Sequence, residues 1–476
     1  MKVVVVGGGI AGLTAAYRLG AASRQKGSPV EVLLLEAGTR LGGIISTATY
    51  EGSVIEHGPD SFITTKPAAL KLCKELGLEN NVIATDSRFR RAFVAFQNKL
   101  HPVPEGFFMM APSRVMPLLQ SSLFSFSGKV RILSEPMVPA KSKIEDESLS
   151  SFVRRRLGEE ALRRLAQPMM AGIYTADPDK LSLLSTMPQF LEHEVNYGSV
   201  IVGLQEKAKQ KPGEETGENN GNVAGARYSI FVTLDKGLGL LPATLQEKIS
   251  PENIRLNARV EAVTRADATW RVRLTNGETI ACDAVVLALP SGKAARVLDV
   301  DDELQSALAS IESASSVVLN LVYKRRDIAD PLTGFGFVVP ATEKRNIIAC
   351  SFSSVKFPNR APEGMATLRV FMGGALSPHL VRLPEKELFY LAARDLRRYI
   401  GIKSDPVWRS IARWPNSMPQ YHVGHMQIVE KIKERLRQLP GLHLAGNSYE
   451  GVGLPDSIRS AEEAARQVLE FQPSSL

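Results

Sequence analysis

Cysteine is the scarcest reactive residue in this 476-residue chain, with only Cys73, Cys282 and Cys350 present. Three scattered thiols cannot build a disulfide framework, so a reducing, cytoplasmic setting is expected. No residues carry zinc-ligand spacing and no Ser-His-Asp signature stands out, so neither a metal nor a side-chain nucleophile is expected. No polybasic block occurs either. The 58 Lys and Arg against 50 Asp and Glu give a formal charge of +8 and a pI near 9.3. That surplus is too diffuse to argue for nucleic acid and instead favours anionic substrates or anionic surfaces. Long apolar runs are also missing. The most membrane-like segment, GFFMMAPSRVMPLLQSSLFSFS from Gly106 to Ser127, contains Pro112 and Pro117, which would interrupt a spanning helix. Peripheral contact through short apolar helices, at the inner face of a cell membrane, stays open. No secretory signal is expected, because Lys2 is followed at once by VVVV and then by glycines. Internal repeats are not evident.

At 44% hydrophobic residues, the chain can bury a large core and is expected to form two or three domains. Val3 to Val6 is a short β-branched run, as in a strand buried on both faces of a parallel sheet. Gly7, Gly9 and Gly12 follow in G-x-G-x-x-G spacing, and LTAAYRL continues as a helix. The first glycine permits the tight turn, the second lets a diphosphate reach the backbone, and the third lets helix pack on strand. Phosphates would then meet the helix N-terminus, where unpaired N–H groups and the helix dipole favour negative charge. A second apolar run ends at Glu36, 24 residues after Gly12, where a carboxylate accepts ribose hydroxyls in dinucleotide sites. AGTRLGG, Ala37 to Gly43, adds a second glycine turn where the backbone approaches something closely.

Farther along, Arg255 to Pro290 reads as alternating strands with an Asn276-Gly277 hairpin turn and a buried strand ending at Pro290. LHLAGNSYEGVGLPDSIRSAEEAARQVLEF, from Leu442, reads as strand, glycine loop and helix, with Ser457 as the expected helix cap. Residues from about 90 to 205 have helical patterning, whereas SSVVLNLVY and TLRVFMGG read as strands roofing a substrate site. Lys207 to Arg227 is polar and glycine-rich and is expected to be a loop. The fold class is therefore α/β with α+β inserts: a Rossmann-like nucleotide-binding domain, a sheet-based substrate domain and a helical insertion. The expected boundaries are 1–66, 228–297 and 430–476 for the first, 67–89, 206–227 and 298–429 for the second, and 90–205 for the third.

GGGIAGL, EAGTRLGG and AGNSYEGVGLPDSI resemble the amine-oxidase-like flavoproteins, in which E-x-x-x-R-x-G-G is typical of flavin rather than nicotinamide enzymes. EHGPDSF, AGIYTADPDKLS, FPNRAPEG and WPNSMPQYHVGH resemble, more narrowly, the FAD-dependent protoporphyrinogen and coproporphyrinogen oxidases of haem synthesis. The likeness runs over nearly the whole chain. It implies non-covalent FAD held by Gly7, Gly8, Gly9, Ile10, Ala11, Gly12, Glu36, Ala37, Ile44, Gly58, Pro59, Asp60, Ser61, Val260, Trp414, Val452, Gly453 and Leu454. Gly58 and Pro59 would shape a turn near the flavin, Val260 would offer backbone to the adenine edge, and Trp414 would cover phosphate or ribose. It also implies substrate contacts at Lys66, with a propionate, and at Gly172 and Phe357 as cavity wall.

The implied reaction removes six electrons and six protons from a porphyrinogen, with O2 as acceptor, H2O2 as by-product and flavin as the hydride acceptor. Hand-over of product to a ferrochelatase-type enzyme is the implied onward partner. One departure stands out: animal and plant relatives carry a carboxylate-binding arginine at the position aligned with Ala92, although Arg90 and Arg91 are adjacent. This resembles the Gram-positive branch, which prefers coproporphyrinogen III to protoporphyrinogen IX. An amine oxidase, and a flavin-free binding protein like the prenyl-GTPase carriers, remain the alternatives at this stage.

Overall fold

The computed structural model describes residues 1–26, 30–210, 231–267 and 269–471. Its first layer is a five-stranded, all-parallel sheet. In spatial order the strands are Ile254–Arg255, Glu31–Leu35, Lys2–Val6, Ala284–Leu287 and Leu442–Leu444. The valine run lies at its centre because it is apolar on both faces. Val3 and Val5 pack with the Ile10–Lys26 and Leu454–Glu470 helices. Val4 and Val6 pack toward an antiparallel meander of Val260–Ala266, Thr269–Leu274 and Thr279–Cys282. The meander's second turn is the expected Asn276-Gly277 turn, with Gly277 at φ +88°.

The second layer is a seven-stranded sheet of Trp408–Pro419, Ser313–Lys324, Met365–Gly373, Ile347–Phe352, Gly336–Val338, Phe93–Phe96 and Lys99–Pro102. Strand alternation divides its faces. Leu319, Leu321, Leu368 and Val370 pack on the Glu385–Ile400 helix through Leu388, Ala392 and Leu396. The opposite face carries a cross-strand row of Ser351, Arg369, Asn320 and Ser410, and one of Ala349, Phe371, Val318 and Ala412. Helices Leu149–Arg156, Gln167–Tyr174, Pro188–Tyr197 and Val200–Gln210 share a third core with Val338 and Ala349 of this face. Among the described residues, no helix is long and apolar enough to cross a membrane.

Several expectations are corrected here. Residues 93–102 are not helical but form the outer hairpin of the seven-stranded sheet. Gln97 and Asn98 sit at φ +49° and +61°, the left-handed pair that a tight hairpin turn requires. The 67–89 segment packs with the parallel sheet instead of the substrate layer, because the Ala68–Glu75 helix buries Ala69, Leu72 and Cys73 in the first core. Leu298, Leu304 and Leu308 likewise join the core under the meander. The terminal helix begins at Leu454, so Ser457 lies inside it and donates to Gly453 O at 3.2 Å; Pro455, which lacks an N–H, suits the first turn. The Lys207–Arg227 loop is helical as far as Gln210, and from 211 it lies outside the described residues.

Candidate active site

The glycine cradle forms where the central strand meets the Ile10–Lys26 helix. A Cβ on Gly12 would stand 1.8 Å from Gly7 O, so helix and turn touch backbone to backbone. Gly9 is the opposite case: a Cβ there would meet no atom within 4 Å. The open side of Gly9 therefore faces space that a ligand can use. Glu36 closes the edge of this space. Its Oε2 accepts the Gly8 N–H and its Oε1 the Gly38 N–H, both at 2.7 Å, which fixes the carboxylate while leaving lone pairs for hydroxyl donors. Ile10 and Ala11 open the helix and Ala37 is exposed beyond Glu36. The chain near Val260 joins them, since Ala258 N–H donates to Glu36 O at 2.8 Å. The residues present fit a dinucleotide: an open glycine at a helix N-terminus and a fixed carboxylate at the end of the next strand.

A second backbone turn stacks on the first. Gly42 N–H donates to Gly8 O at 2.8 Å, and Arg40 straps the turn by donating to Leu41 O at 3.0 Å and Gly43 O at 2.6 Å. Ile44 is exposed. Its carbonyl meets Gly58 so closely that a Cβ there would lie 1.8 Å away. The His57–Ser61 loop is thereby pressed onto the cradle, and Trp414 Nε1 holds it from the sheet side by donating to His57 O at 2.9 Å.

Beneath this loop lies a buried charge network. Asp60 receives Lys356 Nζ at 3.1 Å and Arg369 Nη1 at 3.1 Å, with Ser61 Oγ donating at 2.8 Å. Burial opposes its ionisation, but the two cations outweigh burial and hold the carboxyl far below its usual range. Arg369 also donates to the carbonyls of Glu56 and Gly58 and is only 2% exposed. Glu56 itself accepts Thr47 Oγ1 at 2.6 Å and Leu238 N–H at 2.7 Å, and burial pushes its carboxyl up. The His57 ring, half-buried between Ser46 and Ser410, is pushed down by burial and by the charges of Arg369 and Arg40.

The C-terminal glycine loop completes the cleft. Val452, Gly453 and Leu454 lead into the last helix, and Asp456 in its first turn receives Lys66 Nζ at 2.7 Å. Lys66 is thus engaged by Asp456. Tyr421 is enclosed and stacked on His425, its hydroxyl donating to Asn447 O at 2.7 Å and accepting Gly451 N–H at 2.8 Å. Burial raises this phenol well above its usual value, so it stays protonated. The segment around Tyr421 is in turn held by AGIYTADPDKLS: Ser182 N–H donates to Tyr421 O at 2.8 Å, Val423 N–H to Lys180 O at 2.9 Å, and Gln420 Nε2 to Tyr174 O at 3.1 Å.

Gly172 is exposed on its helix, with Val338 Cγ1 3.3 Å from where its Cβ would stand. Val338 shares a cross-strand row with Phe371, a half-buried ring on the polar face of the sheet. Phe357, expected in a cavity wall, is 1% exposed and enclosed near Lys356 and Arg360, so its ring does not face open space. Ala92 is buried, while Arg90 is half-buried. Sequence reasoning missed Arg369, Phe371, Tyr421 and Asp456. A lone arginine inside the apolar strand TLRVFMGG was the available signal for the first. Tyr421 and Asp456 lie inside the family-like segments WPNSMPQYHVGH and AGNSYEGVGLPDSI, but their individual roles, like that of Phe371, depend on partners far away in the chain.

The family model described as flavin containing amine oxidoreductase matches residues 10–469. A Bacillus subtilis protein named coproporphyrinogen III oxidase is 34% identical over 470 residues, covering 98% of each chain. One of the same name from Staphylococcus aureus is 31% identical, covering 98% of this chain and 99% of that one. A crystal structure of an Exiguobacterium protein provisionally named protoporphyrinogen oxidase superposes with a TM-score of 0.86 at 30% identity, covering 98% of this chain and 99% of that one.

Proposed function

Since the chain belongs to the flavin containing amine oxidoreductases, and among them to the porphyrinogen oxidases, we propose that it oxidises coproporphyrinogen III to coproporphyrin III in haem synthesis. The observation that carries this reading is the convergence of its two most family-specific segments. AGIYTADPDKLS and WPNSMPQYHVGH are far apart in sequence, yet they bond to one another and, through Tyr421, to the C-terminal glycine loop. The overall balance is porphyrinogen plus three O2 giving porphyrin plus three H2O2.

Gly9 and the helix N-terminus behind it are proposed to take the FAD diphosphate, and Glu36 the ribose hydroxyls. The His57–Ser61 loop, Ile44, Trp414 and the Val452–Leu454 turn are proposed to frame the ring system, and Val260 to supply backbone near the adenine. Bound there, FAD supplies two-electron hydride acceptance, so one six-electron oxidation takes three rounds. The protein's own part is placement. Gly172 leaves room for the macrocycle, Phe371 offers it an apolar face, and the buried Lys356–Asp60–Arg369 network fixes the loop between cradle and sheet. The same reading divides the chain into a cofactor part on the parallel sheet, a substrate part on the seven-stranded sheet and a helical part closing the cavity.

Peripheral membrane contact is the companion proposal. The short helices Val115–Gln120 and Phe126–Leu133 expose Met116, Leu119, Val130 and Phe126, the last 84% exposed, and Met137 in the turn Glu135–Met137 that follows is 86% exposed. An onward hand-over of the porphyrin to a ferrochelatase-type enzyme is part of the same proposal.

Porphyrin fluorescence, followed aerobically with FAD-loaded protein and corrected for autoxidation, tests the activity. Faster turnover of coproporphyrinogen III than of protoporphyrinogen IX is expected. Enhancement of neither, with oxidation of a simple amine, would transfer the assignment to the amine oxidases.

A further inference from the structure

The cations around the cleft are mostly spoken for. Lys66 is held by Asp456, Lys356 and Arg369 share Asp60, Arg40 is spent on backbone carbonyls, and Arg360 stands 3.7 Å from Glu56. A tetra-acid substrate needs positive groups that the protein has not already neutralised. Arg345 is such a group. Half-buried at the turn before the Ile347–Phe352 strand, it has no carboxylate within ion-pair distance among the described residues. Its charge lies close enough to the Tyr399 hydroxyl to favour that phenol's ionisation, and its buried Nε has no hydrogen-bond partner among the described residues. The nearby Glu343 carboxylate is occupied by Gln97 N–H and the Tyr399 hydroxyl.

Arg345 lines a cavity of about 50 Å³ together with Gln167, Thr175, Ile348, Gly373 and Ser377. That is room for a carboxylate, not for a second macrocycle. Thr175, in the left-handed conformation at the end of its helix, holds a buried hydroxyl that also has no hydrogen-bond partner among the described residues. The wall of the cavity shares its helix and its strand with the proposed substrate surface. Ala171 in its wall immediately precedes Gly172, and Gly373 follows Phe371 by two residues on the same face of the strand.

We propose that Arg345 and Thr175 form a carboxylate subsite that receives one propionate of the porphyrinogen and favours a tetra-acid over a di-acid. This rests on the porphyrinogen reading. The planar guanidinium suits a carboxylate through two parallel N–H donors, and the threonine hydroxyl supplies a third. An independent small carboxylate is the other source of the same chemistry, and the arms of the experiment separate the two.

FAD-loaded wild type, Arg345→Leu, Arg345→Lys and Thr175→Val are compared for binding of coproporphyrin III, its tetramethyl ester and protoporphyrin IX. Steady-state turnover of both porphyrinogens is measured in parallel. Arg345→Leu is expected to weaken coproporphyrin III binding about 10-fold and to raise KM with a much smaller change in kcat. Arg345→Lys should recover part of the loss, the ester should be indifferent to the substitution, and bound FAD and the melting temperature should stay at wild-type values. Equal loss for acid and ester, or no loss, while the wild type still oxidises porphyrinogen, overturns the subsite alone. Millimolar propionate that raises the melting temperature of wild type but not of Arg345→Leu, with porphyrin binding unchanged in both, assigns the site to a free carboxylate and overturns the substrate arm. A wild type that binds and oxidises neither porphyrinogen sinks the subsite together with the function it serves.

Discussion

The Tyr421 hydroxyl bridges two points of the C-terminal glycine loop, donating to Asn447 O at 2.7 Å and accepting Gly451 N–H at 2.8 Å. Gly451 sits at φ +112°, so the loop passes through a conformation that a side chain would resist, and the phenol holds it there. Tyr421→Phe leaves one buried donor and one acceptor unmatched, a loss of about 1–3 kcal/mol. The expected outcome is FAD affinity lowered roughly 5- to 100-fold, measured by flavin fluorescence titration of the apoprotein. Unchanged affinity would show that the loop keeps its shape without the bridge.

Gly9 and Gly12 should respond differently to a side chain. Gly9→Val places its Cβ in open space, so the apoprotein is expected to fold and melt close to wild type. Its FAD affinity should drop on the order of 100-fold, about 2.7 kcal/mol. Gly12→Ala puts a methyl into Gly7 O and is expected to lower the melting temperature even without FAD. Calorimetry of both apoproteins, followed by FAD titration, separates a ligand surface from a packing contact.

Asp60 and Glu56 carry opposite pH signatures. The Asp60 carboxyl is depressed from 3.8 by its two cations despite burial, so its contribution is present above about pH 3.8 and is lost only in stronger acid. Asp60→Asn is therefore expected to cost about 3–5 kcal/mol, nearly constant between pH 5 and 8, because Lys356 and Arg369 lose their buried partner. Glu56 is raised from 4.5 by burial, so its ionisation weakens the fold as pH climbs past about 4.5. Glu56→Gln should therefore gain stability relative to wild type as pH rises from 4.5 to 7, set against a pH-independent cost for leaving the buried Arg360 without the carboxylate 3.7 Å away. Thermal melts across this range check both signs.

Gly172 is the position where added bulk should affect substrate and leave cofactor alone. Gly172→Leu is expected to lower kcat/KM for porphyrinogen by about 10-fold or more, with FAD content unchanged. A parallel loss of FAD or a collapse in expression would instead mark a helix-packing glycine, pressed on Val338.

For the apolar patch, a Phe126→Glu, Met137→Glu double variant is expected to release the protein from vesicles of anionic phospholipid. Each buried apolar side chain is worth roughly 1.5–3 kcal/mol, so binding should fall at least about 10-fold in a flotation assay. Turnover of porphyrinogen in detergent-free solution should stay the same.

What the sequence determined by itself is local. VVVV must be a strand buried on both faces, Gly7, Gly9 and Gly12 must turn it into a helix, Glu36 must end the next strand, and Asn276-Gly277 must close a hairpin, because each is fixed by neighbours within a few residues. Boundaries that depended on distant packing were less legible. Phe93–Phe96 carries an apolar pattern that helix and strand can share over so short a run, and only the vacant edge beside Gly336–Val338 makes it a strand. The site was decided later still. Asp60 and Lys356 are 296 residues apart, Tyr421 acts through the backbone of Asn447 and Gly451, and Arg345 is distinguished by the carboxylate it does not have. Charge pairing and burial follow from how the layers stack, and only the tertiary structure decides which cations, such as Lys356 and Arg369, find a carboxylate and which, such as Arg90 and Arg345, find none among the described residues.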